Sequence, residues 1–253
     1  MLKMRGDILK KKLMVLCAVA IMISTCLTGC KMNSGKIRFG SAGIGGTYQI
    51  FGDTFANLIS SKSKKYNIEV KTTAGSAANL RLLSKDYIQM AVAQMDLIND
   101  AYNRTGIFEN DKKYQGYRAV ASLYTEACQI VVPADSDIQS MDDLEGKKVC
   151  IGEEESGTEQ NALQILNAYG LNERLVDTVN LNYTDAAKKL KSGDIDAFFC
   201  TAGVQTTVIN ELSKQCKIRL VSLDQKGVSR LKKSYKFYTE YTIPAGTYVN
   251  QTK

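Results

Sequence analysis

Residues 40–49 read GSAGIGGTYQ and follow the short apolar run Ile37–Phe39. Gly43, Gly45 and Gly46 make G-x-G-G, Tyr48 stands where a dinucleotide fingerprint needs its third glycine, and no Walker lysine follows. What remains is a strand, a glycine-rich turn and a helix opening at Thr47, which aims free backbone N–H groups at whatever sits before them. That chemistry suits an anion. The arrangement recurs at 147–170, where KKVCIG reads as a strand, Glu153–Gly157 as a loop, and Thr158–Tyr169 as a helix closed by Gly170.

Outward from this turn the chain alternates strand-like and helical runs. IRFG is followed by a helix over about 47–61, IEVKTT, a helix over about 77–83, and IQMAVAQ. This is the α/β signature. In the first helix Tyr48, Phe51, Phe55, Leu58 and Ile59 recur at three- and four-residue spacing, giving one apolar face that would cover a sheet. VNLNYTDAAKKLKSGDIDAFFCTAG parallels VKTTAGSAANLRLLSKDYIQMAVAQ, so the second half echoes the first as a second lobe, unless both are ordinary βαβ pairs. Pro133 and Pro244 suit the ends of strands crossing between lobes, and equally suit simple turns. The division expected is 1–29 signal peptide, 30–36 tether, 37–133 first lobe, 134–224 second lobe, and 225–253 a return crossover with an incomplete end of the first lobe.

The N-terminus reads as an export signal: Lys3, Arg5 and Lys10–Lys12 precede the apolar run Leu13–Ile23, and Leu27-Thr28-Gly29-Cys30 resembles the bacterial lipobox, with Cys30 the lipidated residue. The run is shorter than the roughly 20 residues of a membrane span. The mature chain is expected outside the cytoplasm, held to the membrane by lipid. Five of the 33 basic and one of the 26 acidic residues fall in the signal, leaving a net charge of +3. With the basic clusters at 62–65 and 230–236 dispersed, no nucleic-acid surface is expected. Cys128, Cys150, Cys200 and Cys216 remain for pairing or for burial as free thiols, and the sequence leaves the choice open. There is no C-x-x-C and no histidine, which excludes the usual zinc sites and histidine-based triads. No metal or cofactor is expected.

In open α/β sheets ligands lie beyond the carboxyl ends of strands. That rule presents the loops 41–48, 73–79, 94–96, 156–158 and 201–205, rich in hydroxyls, amides and backbone N–H groups and poor in catalytic pairs. Ser156-Gly157-Thr158 would make a carboxylate-sized receptor at a helix start, although Ser76, Ser156 and Thr158 also read as plain helix caps. Glu153-Glu154-Glu155 reads as solvent-facing.

The segments IRFGSAGIGGTYQIFG, TTAGSAANLRLL, AVAQMDL, LEGKKVCIGEEESGTE, DAFFCTAG and IPAGTY, in order from Ile37 to Tyr248, resemble the TAXI family of solute receptors that serve TRAP transporters. The resemblance implies a type II periplasmic-binding-protein fold, two α/β lobes closing on a small organic acid that is passed to a TRAP permease. By carry-over, the pocket would use Gly45, Gly46, Thr47 and Tyr48, Ser76 and Asn79, Gln94, Ser156, Gly157 and Thr158, and Thr201, Ala202 and Gly203. Family ligands are carboxylates such as glutamate or related dicarboxylates. The sequence departs from the family in stopping at Lys253, shortly after IPAGTY, where relatives continue through helices that complete the first lobe. It departs also at Ala42 and Ile44, so the solute's identity does not transfer. The function expected is a non-enzymatic, lipid-anchored receptor for a small carboxylate. Two other readings stand beside it: a truncated or degenerate surface interaction protein of this fold, and an enzyme using Cys128 or Cys200 as nucleophile.

Overall fold

A computed structural model describes residues 36–251, and the signal peptide and Cys30 lie outside the described residues. The chain opens with β1 (Lys36–Gly40), α1 (Thr47–Lys62), β2 (Asn67–Lys71), α2 (Ser76–Ser84), β3 (Met90–Ala91) and α3 (Met95–Asn103). The strands form a three-stranded sheet in the order β2-β1-β3, with β1 and β3 parallel and Phe39 opposite Met90. The apolar face read in the sequence covers it: Tyr48, Phe51, Phe55 and Ile59 of α1 pack on Phe39, Ile68, Val70 and Val92. The Phe51 and Phe55 rings stack at 5.9 Å, and Phe39 tilts against both. Leu58, expected on that face, is exposed. A second cluster, Ala77, Leu80, Leu97, Ala101 and Phe108, joins α2 to α3.

Residues 112–126 have no regular secondary structure. They lead into β4 (Ala127–Pro133), β5 (Lys148–Gly152), α4 (Gly157–Ala168), β6 (Asp177–Asn180), α5 (Tyr183–Ser192), β7 (Ala197–Ala202), α6 (Thr207–Gln215), β8 (Ile218–Leu220) and α7 (Gln225–Ser234). The second sheet has the order β6-β5-β7-β4-β8. β5 runs parallel to β6 and β7, and β4 runs antiparallel to β7 and β8. Both faces are covered. Ile130, Val132, Val149, Ile151 and Phe199 point into one cluster with Ile165 and Leu166 of α4. Val131, Cys150, Phe198 and Cys200 point into the other with Leu190 of α5 and Ile209 and Leu212 of α6. Burial on two faces is why CQIVV and AFFC read as continuous apolar runs rather than alternating ones.

Two stretches sit differently from the expected division. β4, placed at the end of the first lobe, is an interior strand of the second sheet, because its alternate residues fill both of that sheet's cores. The stretch from Gln225, placed in a return crossover, begins with α7, whose Leu231 is buried in the same cluster as Ile165 and Leu166. Farther on, Tyr248 of IPAGTY is buried in the second sheet's core, donating its hydroxyl to Gln129 and accepting from the Gln205 N–H. Pro244 serves a turn, its carbonyl accepting from the Thr247 N–H at 3.2 Å. The four described cysteines are free thiols, with Cys150 and Cys200 buried.

Phe199 is fully buried in β7, between β5 and β4. Replacing it with alanine is expected to cost about 3–5 kcal/mol, through lost burial and the cavity left behind. The midpoint and slope of urea unfolding measure this, and a loss under about 1 kcal/mol would contradict the two-faced core.

Candidate functional site

Loops beyond the carboxyl ends of strands in both sheets meet around a cavity of about 40 Å³. Ten of the sequence-named residues line it: Gly46, Thr47, Tyr48, Ser76, Gln94, Ser156, Gly157, Thr158, Thr201 and Ala202. Three do not. The buried Asn79 donates its amide to the carbonyls of Ser41 (2.7 Å) and Val92 (2.9 Å) and accepts from the Thr73 hydroxyl, so it fixes the loops from behind. The Gly45 carbonyl accepts from the Thr206 hydroxyl, and Gly203 lies behind Thr47.

The two sequence-matched turns deliver helix N-termini to this cavity. α1 begins after Gly46 with no capping side chain, and α4 begins after Ser156, whose Oγ accepts from the Glu159 N–H at 2.9 Å. The cap reading of Ser156 therefore holds, and the same residue lines the cavity. Ser76 is no cap; its Oγ accepts from the Gln94 N–H at 3.1 Å. Thr158 Oγ1 pairs with the Tyr183 hydroxyl at 2.5 Å and accepts from the Thr201 N–H, which ties α4 to α5 and β7.

The first-sheet and second-sheet loops touch directly. The Ala78 N–H donates to the Glu155 carbonyl, Gln94 Nε2 donates to Asn161 Oδ1 at 2.9 Å, and Arg81 pairs with Glu155 at 2.8 Å and with Asp111 at 3.0 Å. The approach needs glycine. A Cβ on Gly157 would stand 2.0 Å from Gln94 Oε1, and Gly75, at φ +129°, faces the Ser156 backbone. An L side chain at position 75 would be strained irrespective of space.

Sequence reasoning missed the site's charges. Glu126 and Glu153 both line the cavity, and no lysine or arginine does. Glu126 accepts from the Tyr48 hydroxyl at 2.9 Å. Burial pushes its carboxyl up to about 7, with hydrogen bonds from Tyr48 and Gln94 pulling the other way and Asp96 adding to the rise. Burial also raises Glu153, followed by the nearby charge of Asp185. The triple glutamate is thus not uniformly solvent-facing: Glu153 turns into the cavity and Glu155 into the Arg81 ion pair, while Glu154 is exposed. These residues follow β5 in a turn, with Glu155 in the left-handed region at φ +63°, so the three side chains do not share one direction. Glu126 lies at the end of an irregular stretch, where no periodicity signals it.

Residues 39–253 match the family model described as the NMT1-like family. The chain belongs to this family. Among solved structures, the chain is similar to the alkanesulfonate-binding protein SsuA from Xanthomonas axonopodis pv. citri, bound to MOPS. That match has a TM-score of 0.51 and 18% identity, covering 74% of this chain and 60% of the other. It is similar also to a binding protein component of a phosphonate ABC transporter from Pseudomonas aeruginosa (TM-score 0.52, 12% identity, 79% and 74% covered). A third likeness is to the GluR0 ligand-binding core in complex with L-glutamate (TM-score 0.50, 11% identity, 81% and 97% covered). The chain has the type II periplasmic-binding-protein fold, and it spans less than two thirds of the length of the SsuA protein.

Other features of this family member carry less chemistry. A groove of about 1860 Å³ runs along β3, residues 114–130 and residues 234–243. It borders Glu126 and Gln94 and the first turns of α3 and α7. Burial pushes the Cys128 thiol up to about 12 and raises Cys200 above the usual thiol range, so neither is a ready nucleophile at neutral pH. Among the described residues no group of three or more His, Cys, Asp and Glu side chains converges as a metal site.

The Glu126 shift has a signed consequence for stability. A carboxyl raised from 4.5 to about 7 holds its proton more tightly folded than unfolded, so stability falls as pH rises through that window. The full cost, about 3 kcal/mol at most, is present above pH 7. Glu126→Gln should therefore melt higher than the parent protein at pH 8, with the gap closing toward pH 4.5. Parallel melting curves across that range check it, and a gap independent of pH would contradict the buried-carboxyl account.

Proposed function

We propose that this protein is an extracytoplasmic solute-binding receptor that captures a small carboxylate, a glutamate-like amino acid or a dicarboxylate, by closing two lobes on it without chemistry. In this reading Cys30 carries the lipid that tethers the receptor, and a TRAP-type membrane permease accepts the solute. The carrying observation is the convergence of two helix N-termini, one from each sheet, on a single cavity at the strand ends. Each presents backbone N–H groups and the positive end of a helix dipole, which hold a carboxylate without needing a lysine or arginine. Family membership and the fold support the receptor class, and the TAXI resemblance of the SGTE and IPAGTY segments supports the TRAP assignment.

A cavity of about 40 Å³ holds at most a few waters, so the lobes must part to admit a solute of this size and close again around it. The bonds from Arg81, Gln94 and Ala78 across the cleft belong to the closed form.

Thermal melting of the soluble portion against a panel of amino acids and dicarboxylates tests the reading. A true solute at one hundred times its dissociation constant should stabilise by about 2.7 kcal/mol. Gly157→Ala should keep the circular dichroism spectrum while weakening the best solute at least tenfold, because the new methyl group props the cleft open against Gln94. A folded protein that responds to nothing in the panel would overturn the proposal.

A further inference from the structure

Resting on the receptor reading above, we propose that the solute carries a cationic nitrogen, and that the carboxylate of Glu126, which lines the cavity, is the seat that recognises it. The solute would then be a zwitterion of the amino-acid type rather than a dicarboxylate.

The site's inventory of donors and acceptors carries the argument. At the helix N-termini the cavity offers N–H donors and no cation. Toward Tyr48 the excess is of acceptors. Glu126 has four lone-pair directions, and its side-chain partners are the Tyr48 hydroxyl at 2.9 Å and the Gln94 amide, both neutral. Gln94 is oriented by its neighbours: Asn161 gives its amide N–H groups to the Tyr238 hydroxyl at 2.8 Å and to Asp96 at 3.4 Å, so Asn161 Oδ1 takes the Gln94 amide. Gln94 Oε1 is thereby left against Gly157, shut from solvent and accepting no hydrogen bond. A buried acceptor without a donor is costly. An ammonium group brings three donors and a positive charge, which suits a buried carboxylate whose own partners are neutral. A second carboxylate would bring two more acceptors to a place already short of donors, and would face Glu126 and Glu153 as like charges.

The proton balance separates the two cases. The groups facing Glu126 are Tyr48 on α1, Asp96 on α3, Tyr124 and Cys128 on either side of it in sequence, and Cys200 and Tyr183 from the second sheet's side. The tyrosines and cysteines are all held protonated by burial. Glu126, raised by burial to about 7, is thus the group here that responds near neutrality, with Asp96 beside it also raised by burial. A cation seated on Glu126 drives it to the carboxylate, releasing on the order of half a proton per solute at pH 7. An incoming dicarboxylate drives it to the acid and takes protons up.

Titration calorimetry at pH 7, in two buffers of different ionisation enthalpy, uses L-glutamate, L-glutamine, L-arginine and glutarate as probes. Expected is binding of at least one amino acid with proton release, glutarate at least tenfold weaker, and a loss of at least tenfold in amino-acid affinity with Glu126→Gln. Glu126→Asp should retain part of that affinity. Glutarate binding as tightly as the amino acids, proton uptake on binding, or unchanged amino-acid affinity in Glu126→Gln would overturn the assignment while leaving the receptor reading intact. A folded protein that binds none of the four probes, nor any compound of the wider panel, would instead sink both.

Discussion

The structure depends on a close approach of backbone to backbone at the strand ends. Gly75 meets the Ser156 backbone, and Gly157 meets the Gln94 amide. Because neither glycine has a side chain, two helices built on different sheets can bring their N-termini to one cavity. The cores place these loops but do not join them. Each sheet has its own buried clusters, and the contacts across the cleft are polar. Strong apolar packing inside each part and weak polar contact between parts is the distribution expected where parts move as bodies.

Much of this was legible in the sequence because it follows from periodicity and punctuation. The spacing of Tyr48, Phe51, Phe55 and Ile59 gave α1 and its sheet-facing side. Thr47 and Thr158 marked two helix starts to within a residue, the strand-end rule pointed to the loops that meet at the cavity, and the family resemblance named ten of the residues that line it. The errors have a common physical source, which is that sequence shows where a residue falls along the chain but not what it faces. Asn79 stands in a loop-to-helix segment rich in ligand-binding chemistry, and its amide is spent on backbone carbonyls behind the cavity. Glu153 stands among three acidic residues that look solvated, and the turn after β5 brings it to the cavity. Glu126 precedes β4 without any pattern, and only the fold brings it to Tyr48. The segment from Gln225 looked like a return path because it leads to Pro244, which suits the end of a strand crossing between lobes. Leu231, on the one apolar face of a short helix, was enough to dock it on the second sheet.

Glu126 also shows why a site of this kind resists being read as a stability problem alone. A carboxyl held well above its ordinary range burdens the fold, and a glutamine would relieve it. Such unfavourable burial is commonest where a ligand later supplies the missing partner.

The bonds across the cleft have a further meaning for how tightly a solute is held. Arg81 reaches from α2 to Glu155 and Asp111, about a quarter exposed itself and paired with acids that are more exposed still (42% and 47%). It lines neither cavity. In a two-state opening and closing equilibrium, measured affinity is the intrinsic affinity scaled by the fraction of molecules able to bind, and residence time follows the rate at which the closed form opens. Under the receptor reading proposed above, Arg81 would act as a dial on residence time that lies outside the cavity, and because water and ions reach it, the ionic strength around the protein would set how far that dial is turned.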